Sequence, residues 1–282
     1  NEKRLVRNAA EGVRGAKRGV RPAERQAEHE LMHPTFIAAI VFICLIGAAF
    51  GALLISERFP QRYRHDDTHN VVRLTANIFV VTTSLLLGLL LNSAKNTFEG
   101  VDRNVHAFAT DIILLDRSLR QFGPEAADAR QRLAVYLRQA IDGTWPNQGA
   151  PVLDDRAAEL RLDEVGSALA AIRPSDPVRA DLWHQAEENY QNVVKLRWVL
   201  VEESEGSIPT AFLVMLGAWL VLIFGSFGYR APRNAVVLGS LVAAAFLITM
   251  SIYLVLDMDV PFSGPIQVSP APLERAAEHL SR

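Results

Sequence analysis

The chain has 282 residues, is half apolar, and carries 29 basic against 31 acidic side chains, for a formal net charge of −2. With 21% charged residues and a mean hydropathy of +0.13, the totals sit near those of a soluble domain, which averages about 25% charged. Their placement does not: runs free of Asp, Glu, Lys and Arg occupy 35–55, 74–94, 206–229 and 234–256, each long enough for the roughly 20 residues that cross a ~30 Å hydrocarbon core, which excludes an ordinary soluble enzyme.

Residues 1–33 form a basic tail. Arg7, Arg14, Arg18, Arg21 and Arg25 share one helical face and Leu5, Ala9, Val13, Ala16 and Val20 the opposite one, a pattern that suits an anionic lipid surface or a neighbouring subunit. The first span, 35–55, starts just after Pro34, a good first-turn residue, and is too long for the apolar core of a signal peptide. It holds the chain's single cysteine, Cys44, so no intrachain disulfide can form. Gly47 and Gly51 form a GxxxG pair that lets helices approach closely. A short loop, 56–73, carries Arg58, Arg62 and Arg64 and then His65-Asp66-Asp67-Thr68-His69. Two imidazoles four residues apart beside two carboxylates are metal-ligand types, but the HExxH order is missing and a solvated loop explains them, so no metal is assigned.

On the second span, 74–94, a stripe runs Arg73, Asn77, Val81, Ser84, Gly88, Asn92, Lys95 at steps of 4, 4, 3, 4, 4 and 3. Polar and small groups aligned through a bilayer must face protein or water. Two readings stand: the lining of a pore built from several copies of this helix, with basic residues at both mouths favouring anions, or a helix–helix interface held by small and amide side chains.

The segment 95–205 is predicted to be about four helices. Val101, Val105, Phe108, Ile112, Leu115, Leu119 and Phe122 make a strict heptad seam, and no breaker separates it from the second span, so one helix runs to Gly123-Pro124. A second helix puts Ala129, Leu133, Tyr136 and Ala140 on one face and ends before Trp145-Pro146; a third spans roughly 154–172; a fourth begins near Pro177 with Leu182, Ala186, Tyr190, Val193 and Leu200 aligned. Asp116-Arg117 and Arg197 with Glu202, Glu203 and Glu205 read as solvated faces and ion pairs between helices. With 13 basic and 19 acidic residues the segment is acidic, which argues against nucleic acid as a partner. The third span, 206–229, and the fourth, 234–256, follow, the latter with Gly239 and Ala243 as a second small pair; 257–282 forms a C-terminal tail.

Four crossings place both termini and 95–205 on one side. The two tails hold ten Lys and Arg against six in the short loops, which puts that side in the cytoplasm. Nucleophile elbows, P-loops, dinucleotide fingerprints and CxxC pairs are missing; no catalytic residue, metal or cofactor is assigned, and the chain reads as a non-enzyme.

The stretches LLDRSLRQFGPEAADAR (114–130), TWP (144–146), LRWVLVEESEGSIPTAFLVML (196–216), FGSFGYRAPRNA (224–235) and LDMDVPFSGPIQVSPAPLERA (256–276) resemble the bacterial DUF4239 family, labelled bestrophin-like, over about residues 35–280. The most specific piece carries Asp259, Pro261, Phe262 and Gly264. The resemblance implies a four-span protein of a bacterial plasma membrane, distantly related to pentameric anion channels whose neck is lined by bulky apolar side chains of the second span; here Ile78, Phe79 and Leu86 would take that part. The expectation is therefore an all-α, four-span membrane protein with a helical bundle between spans 2 and 3, in contact with the bilayer and assembled as a homo-oligomer or with partner membrane subunits. Its expected activity is an anion-preferring ion pathway. The alternative is a non-conducting structural or accessory subunit whose helical domain serves as a docking platform.

Overall fold

A computed structural model describes residues 34–55, 66–145, 155–204, 206, 208–229, 231–232 and 234–282, with the side chains of 66–73 and 155 outside the description. The tail 1–33 and the loop with His65 thus lie outside it. Every regular element among the described residues is helical: α1 (Pro34–Ile55), α2 (Asp66–Phe122), a 3₁₀ turn (Pro124–Ala126), α3 (Ala127–Thr144), α4 (Asp155–Ala171), α5 (Pro177–Ser204), α6 (Thr210–Gly228), α7 (Ala235–Asp259) and α8 (Ala271–Leu280). Four of them, α1, the α2 stretch from Leu74, α6 and α7, are long and apolar enough to cross a membrane, and α3–α5 lie between the second and third of these. Only 11–28% of the most apolar window of each span is buried, so most of each window faces away from the protomer's interior.

The residues group into two compact units, one containing the described residues up to Val72 with Val221–Tyr253, the other Arg73–Leu220 with Leu254–Arg282. In the first unit, Ala38, Leu45, Ala49 and Leu53 form the buried ridge of α1. Gly228, at the end of α6, sits against the Ala49 backbone, so close that an added Cβ would overlap the Ala49 carbonyl. Only a residue without a side chain permits that approach.

The second unit is built on the seam of α2. Val101, Val105, Phe108, Ile112, Leu115, Leu119 and Phe122 are all buried and belong to one core with Leu133, Tyr136 and Leu137 of α3, Leu162, Val165 and Leu169 of α4 and Ala186, Tyr190 and Val193 of α5. Each Leu- or Phe-sized side chain so buried contributes about 1.5–3 kcal/mol. The heptad therefore closes the protomer's own bundle. As the absence of a breaker predicts, α2 is one uninterrupted helix of 57 residues; it also reaches back to Asp66, ahead of the apolar span.

The C-terminal region differs from the plain tail expected of it. After a turn, α8 adds a fifth helix to the bundle, with Leu273, Ala276 and Leu280 buried in the same core. Their spacing of 3 and 4 is one helical face, carried by only ten residues between prolines and the chain end.

Candidate functional site

Successive residues of a helix are about 100° apart, and α2 uses this to hold two faces apart. Ala76, Thr83 and Ala94 are buried and extend the line of the seam toward the N-terminus. Asn77, Val81, Ser84, Gly88, Asn92 and Lys95 lie roughly 100° around the helix, and every one is exposed. Arg73 begins the same row on the α2 backbone, its side chain outside the described residues.

The chemistry of the row is mixed. Among the described residues Asn77 and Asn92 make no side-chain hydrogen bond, so their amides turn both N–H donors and a carbonyl outward. Ser84 Oγ donates to the Val80 carbonyl at 2.9 Å, which leaves its lone pairs facing out. Lys95 Nζ is 3.3 Å from Glu99 Oε1, both half exposed, so the cation at this end of the row shares its charge with a carboxylate.

The three residues considered for an apolar constriction do not share a face. Ile78 is exposed. Phe79 is half buried, its ring 6.1 Å from that of Trp219, and Leu86 is half buried on the same side. The apolar residues next to the polar row on the outside are Ile78, Leu85 and Leu89, each at least 60% exposed. The small-residue pairs also face outward. Gly47, Gly51 and Gly239 have open space where a Cβ would stand, and Ala243 is exposed; the close approach among the described residues of the first unit is made by Gly228 instead.

Asp257 and Asp259 lie buried at the C-terminal end of α7, where the helix dipole disfavours negative charge. Backbone N–H groups offset this: Ile266 N donates to Asp257 Oδ2 at 2.9 Å and Ile208 N, just ahead of α6, to Asp259 Oδ2 at 3.2 Å. Gly264 holds φ +89°, and a Cβ there would run into Asp257 Oδ1. The turn between them lays Phe262 edge-on against Trp145, centroids 5.5 Å apart, and Val268 N closes it by donating to the Pro261 carbonyl at 2.8 Å. Asp259, Pro261, Phe262 and Gly264 thus form the turn that leads α7 back to the bundle, and Trp145 of the TWP stretch receives it.

The Bestrophin-like domain matches residues 43–273. The chain belongs to the bestrophin-like family. Two solved structures share its fold at 12% identity, each covering 86% of this chain and 97% of its own: a mutant of a bacterial bestrophin homolog from Klebsiella pneumoniae, TM-score 0.60, and a membrane protein crystallised as a variant, TM-score 0.61. No curated protein matches the chain. It is a multi-pass, all-helical membrane protein with bestrophin-like architecture.

Two charged residues of this bestrophin-like chain, read from sequence as solvated faces and ion pairs between helices, are buried. Asp116 is 1% exposed, with Arg120 Nη2 and Arg130 Nε each 2.8 Å from its carboxylate and His279 Nδ1 of α8 at 3.9 Å. Arg197 is 6% exposed. The signal was present: 186, 190, 193, 197 and 200 continue one face at steps of 4, 3, 4 and 3, so Arg197 sits where the apolar stripe of α5 demands a buried side chain.

Proposed function

We propose that this protein assembles as a homo-oligomer in a bacterial plasma membrane, with the exposed row of α2 from neighbouring copies lining an anion-preferring pathway. One observation carries the reading. The seam of α2 is used up inside the protomer, while Asn77, Ser84 and Asn92 point away from it. An amide facing hydrocarbon without a partner costs on the order of several kcal/mol, and water or a second copy removes that cost. Amide N–H groups and the Lys95 and Arg73 positions supply donors and positive charge for anions. Ile78 and Leu85, beside the row, fit an apolar constriction better than Phe79 and Leu86, which turn toward the protomer's interior. The Lys and Arg count favours termini and bundle in the cytoplasm.

Purified protein in liposomes tests this. Halide efflux above that of empty liposomes, with Na⁺ and K⁺ fluxes smaller, is the expected result. Flux equal to empty liposomes under all three gradients would leave the non-conducting subunit, with its outward Gly47, Gly51, Gly239 and Ala243 faces as partner surfaces.

A further inference from the structure

The bundle contains a cavity of about 190 Å³ that the reading above does not use. Its walls come from the seam, from α3 and α5, and from the signature turn: Phe108, Tyr136, Ala140, Trp145 and Phe262 are among them, and Arg197 lines it as well. An apolar cavity of about 150 Å³ accommodates a benzene ring, so this volume takes a six-membered ring with one small substituent, or an aliphatic chain of similar bulk.

The polar groups on the walls select that substituent. Trp145 Nε1 donates to the Val268 carbonyl at 2.7 Å, Thr144 Oγ1 to the Ala140 carbonyl at 2.7 Å and Ser204 Oγ to the Val201 carbonyl at 2.6 Å. Their hydrogens are committed to the backbone. Arg197 alone among the described lining residues is charged. A guanidinium offers five N–H donors in a planar fork, so it can hold a carboxylate in addition to its bonds within the protein, and the low-dielectric surroundings strengthen such a charge-assisted pair.

We propose that this cavity binds a small amphipathic carboxylate of benzoate size, its apolar body against Phe108, Trp145 and Phe262 and its carboxylate on Arg197. Binding is independent of whether the protein conducts. Because Phe262 of the turn after α7 and Leu273 of α8 both line the cavity, an occupant would brace the junction between that segment and the bundle.

Ligand-observed NMR and calorimetry on the full-length protein in detergent, with benzoate as the probe, test the proposal. Saturable benzoate binding is expected, with the neutral isostere benzamide at least about ten-fold weaker, the worth of one charge-assisted bond. Arg197→Gln should lose benzoate by a similar factor. Ala140→Leu, which fills the cavity and keeps the charge, should also lose it while the thermal melt stays cooperative, so the proposal remains decidable if the arginine variant does not fold. Palmitate, too long for the cavity, should bind no more weakly to Ala140→Leu than to the parent; selective loss of palmitate would assign the cavity to a membrane fatty acid instead. Equal benzoate and benzamide affinity, benzoate binding unchanged by Ala140→Leu, or no saturation up to about 10 mM, the edge of the weak-binding range, would each overturn it.

Discussion

Trp145 Nε1 donates to the carbonyl of Val268 at 2.7 Å, across 123 positions of sequence. The bond ties the end of α3 to the chain that follows α7, and the Trp145 ring stacks edge-on against Phe262 of the same turn. Trp145→Phe keeps the aromatic contact and loses the bond, an expected cost of about 1 kcal/mol; Trp145→Ala loses both and should cost about 3 kcal/mol. Denaturation monitored by helicity distinguishes the two, and equal losses would show that the indole N–H contributes nothing.

Gly264→Ala should destabilise the same turn by about 1–2 kcal/mol, since its φ of +89° disfavours an L side chain, plus the overlap of the new methyl with Asp257. Asp257→Gly removes the overlap but also the acceptor for Ile266 N and places a glycine in α7, so in thermal melting the double variant should lose less than the sum of the two single variants.

Gly228→Ala places a methyl into the Ala49 backbone. Backbone cannot rotate away as a side chain can, so a loss of about 1–3 kcal/mol is expected. Gly47→Ala, with open space at its Cβ, should leave the monomer's thermal stability in detergent unchanged; a comparable drop there would show that Gly47 is covered by another chain.

The Tyr190 phenol donates to the Leu162 carbonyl at 3.1 Å. Burial first, then the charges of Asp163 and Glu187, push its pKa above the ordinary 10.0. The folded state therefore keeps the proton where the unfolded chain has begun to lose it. Its contribution to stability is whole below pH 10 and declines as pH rises from there through the folded-state value. Melting temperatures taken between about pH 8 and 11 should fall less steeply for Tyr190→Phe, whose neutral-pH cost is about 1 kcal/mol.

If α2 lines an anion pathway, Glu99→Gln should raise halide over cation permeability by removing the partner of Lys95, and Lys95→Gln should lower it. The pair is exposed and contributes under about 1 kcal/mol to folding, so both variants should express as the parent does. Reversal potentials in bilayers give the comparison; no change in either variant places the pathway elsewhere.

The four spans and the seam could be read directly because each depends on a long repeated pattern: an unbroken charge-free run, or seven apolar residues in strict heptad spacing. α8 escaped notice because ten residues with three buried positions give too little periodicity beside a proline-rich turn. For Arg197 the charge left a solvated face and an ion pair between helices both open, although its register on α5 placed it inside. Whether the α2 row faced the protomer or the outside could not be settled from spacing, which fixes angles around one helix but not which neighbour each angle meets. That required Leu133, Leu169 and Val193, distant in sequence, to be seen occupying the seam side.

At 1.5 Å per residue the 57 residues of α2 extend about 85 Å, nearly three times the hydrocarbon thickness. From Arg73 onward the rod belongs to a single compact unit and has no proline or break at which torsion could dissipate. A twist applied where the bundle grips Leu115 and Leu119 is thus delivered to Ser84 and Leu85, whose side chains are about 100° apart around the axis. The angle between the row of Asn77, Ser84 and Asn92 and the buried seam is therefore fixed for as long as α2 stays unbroken.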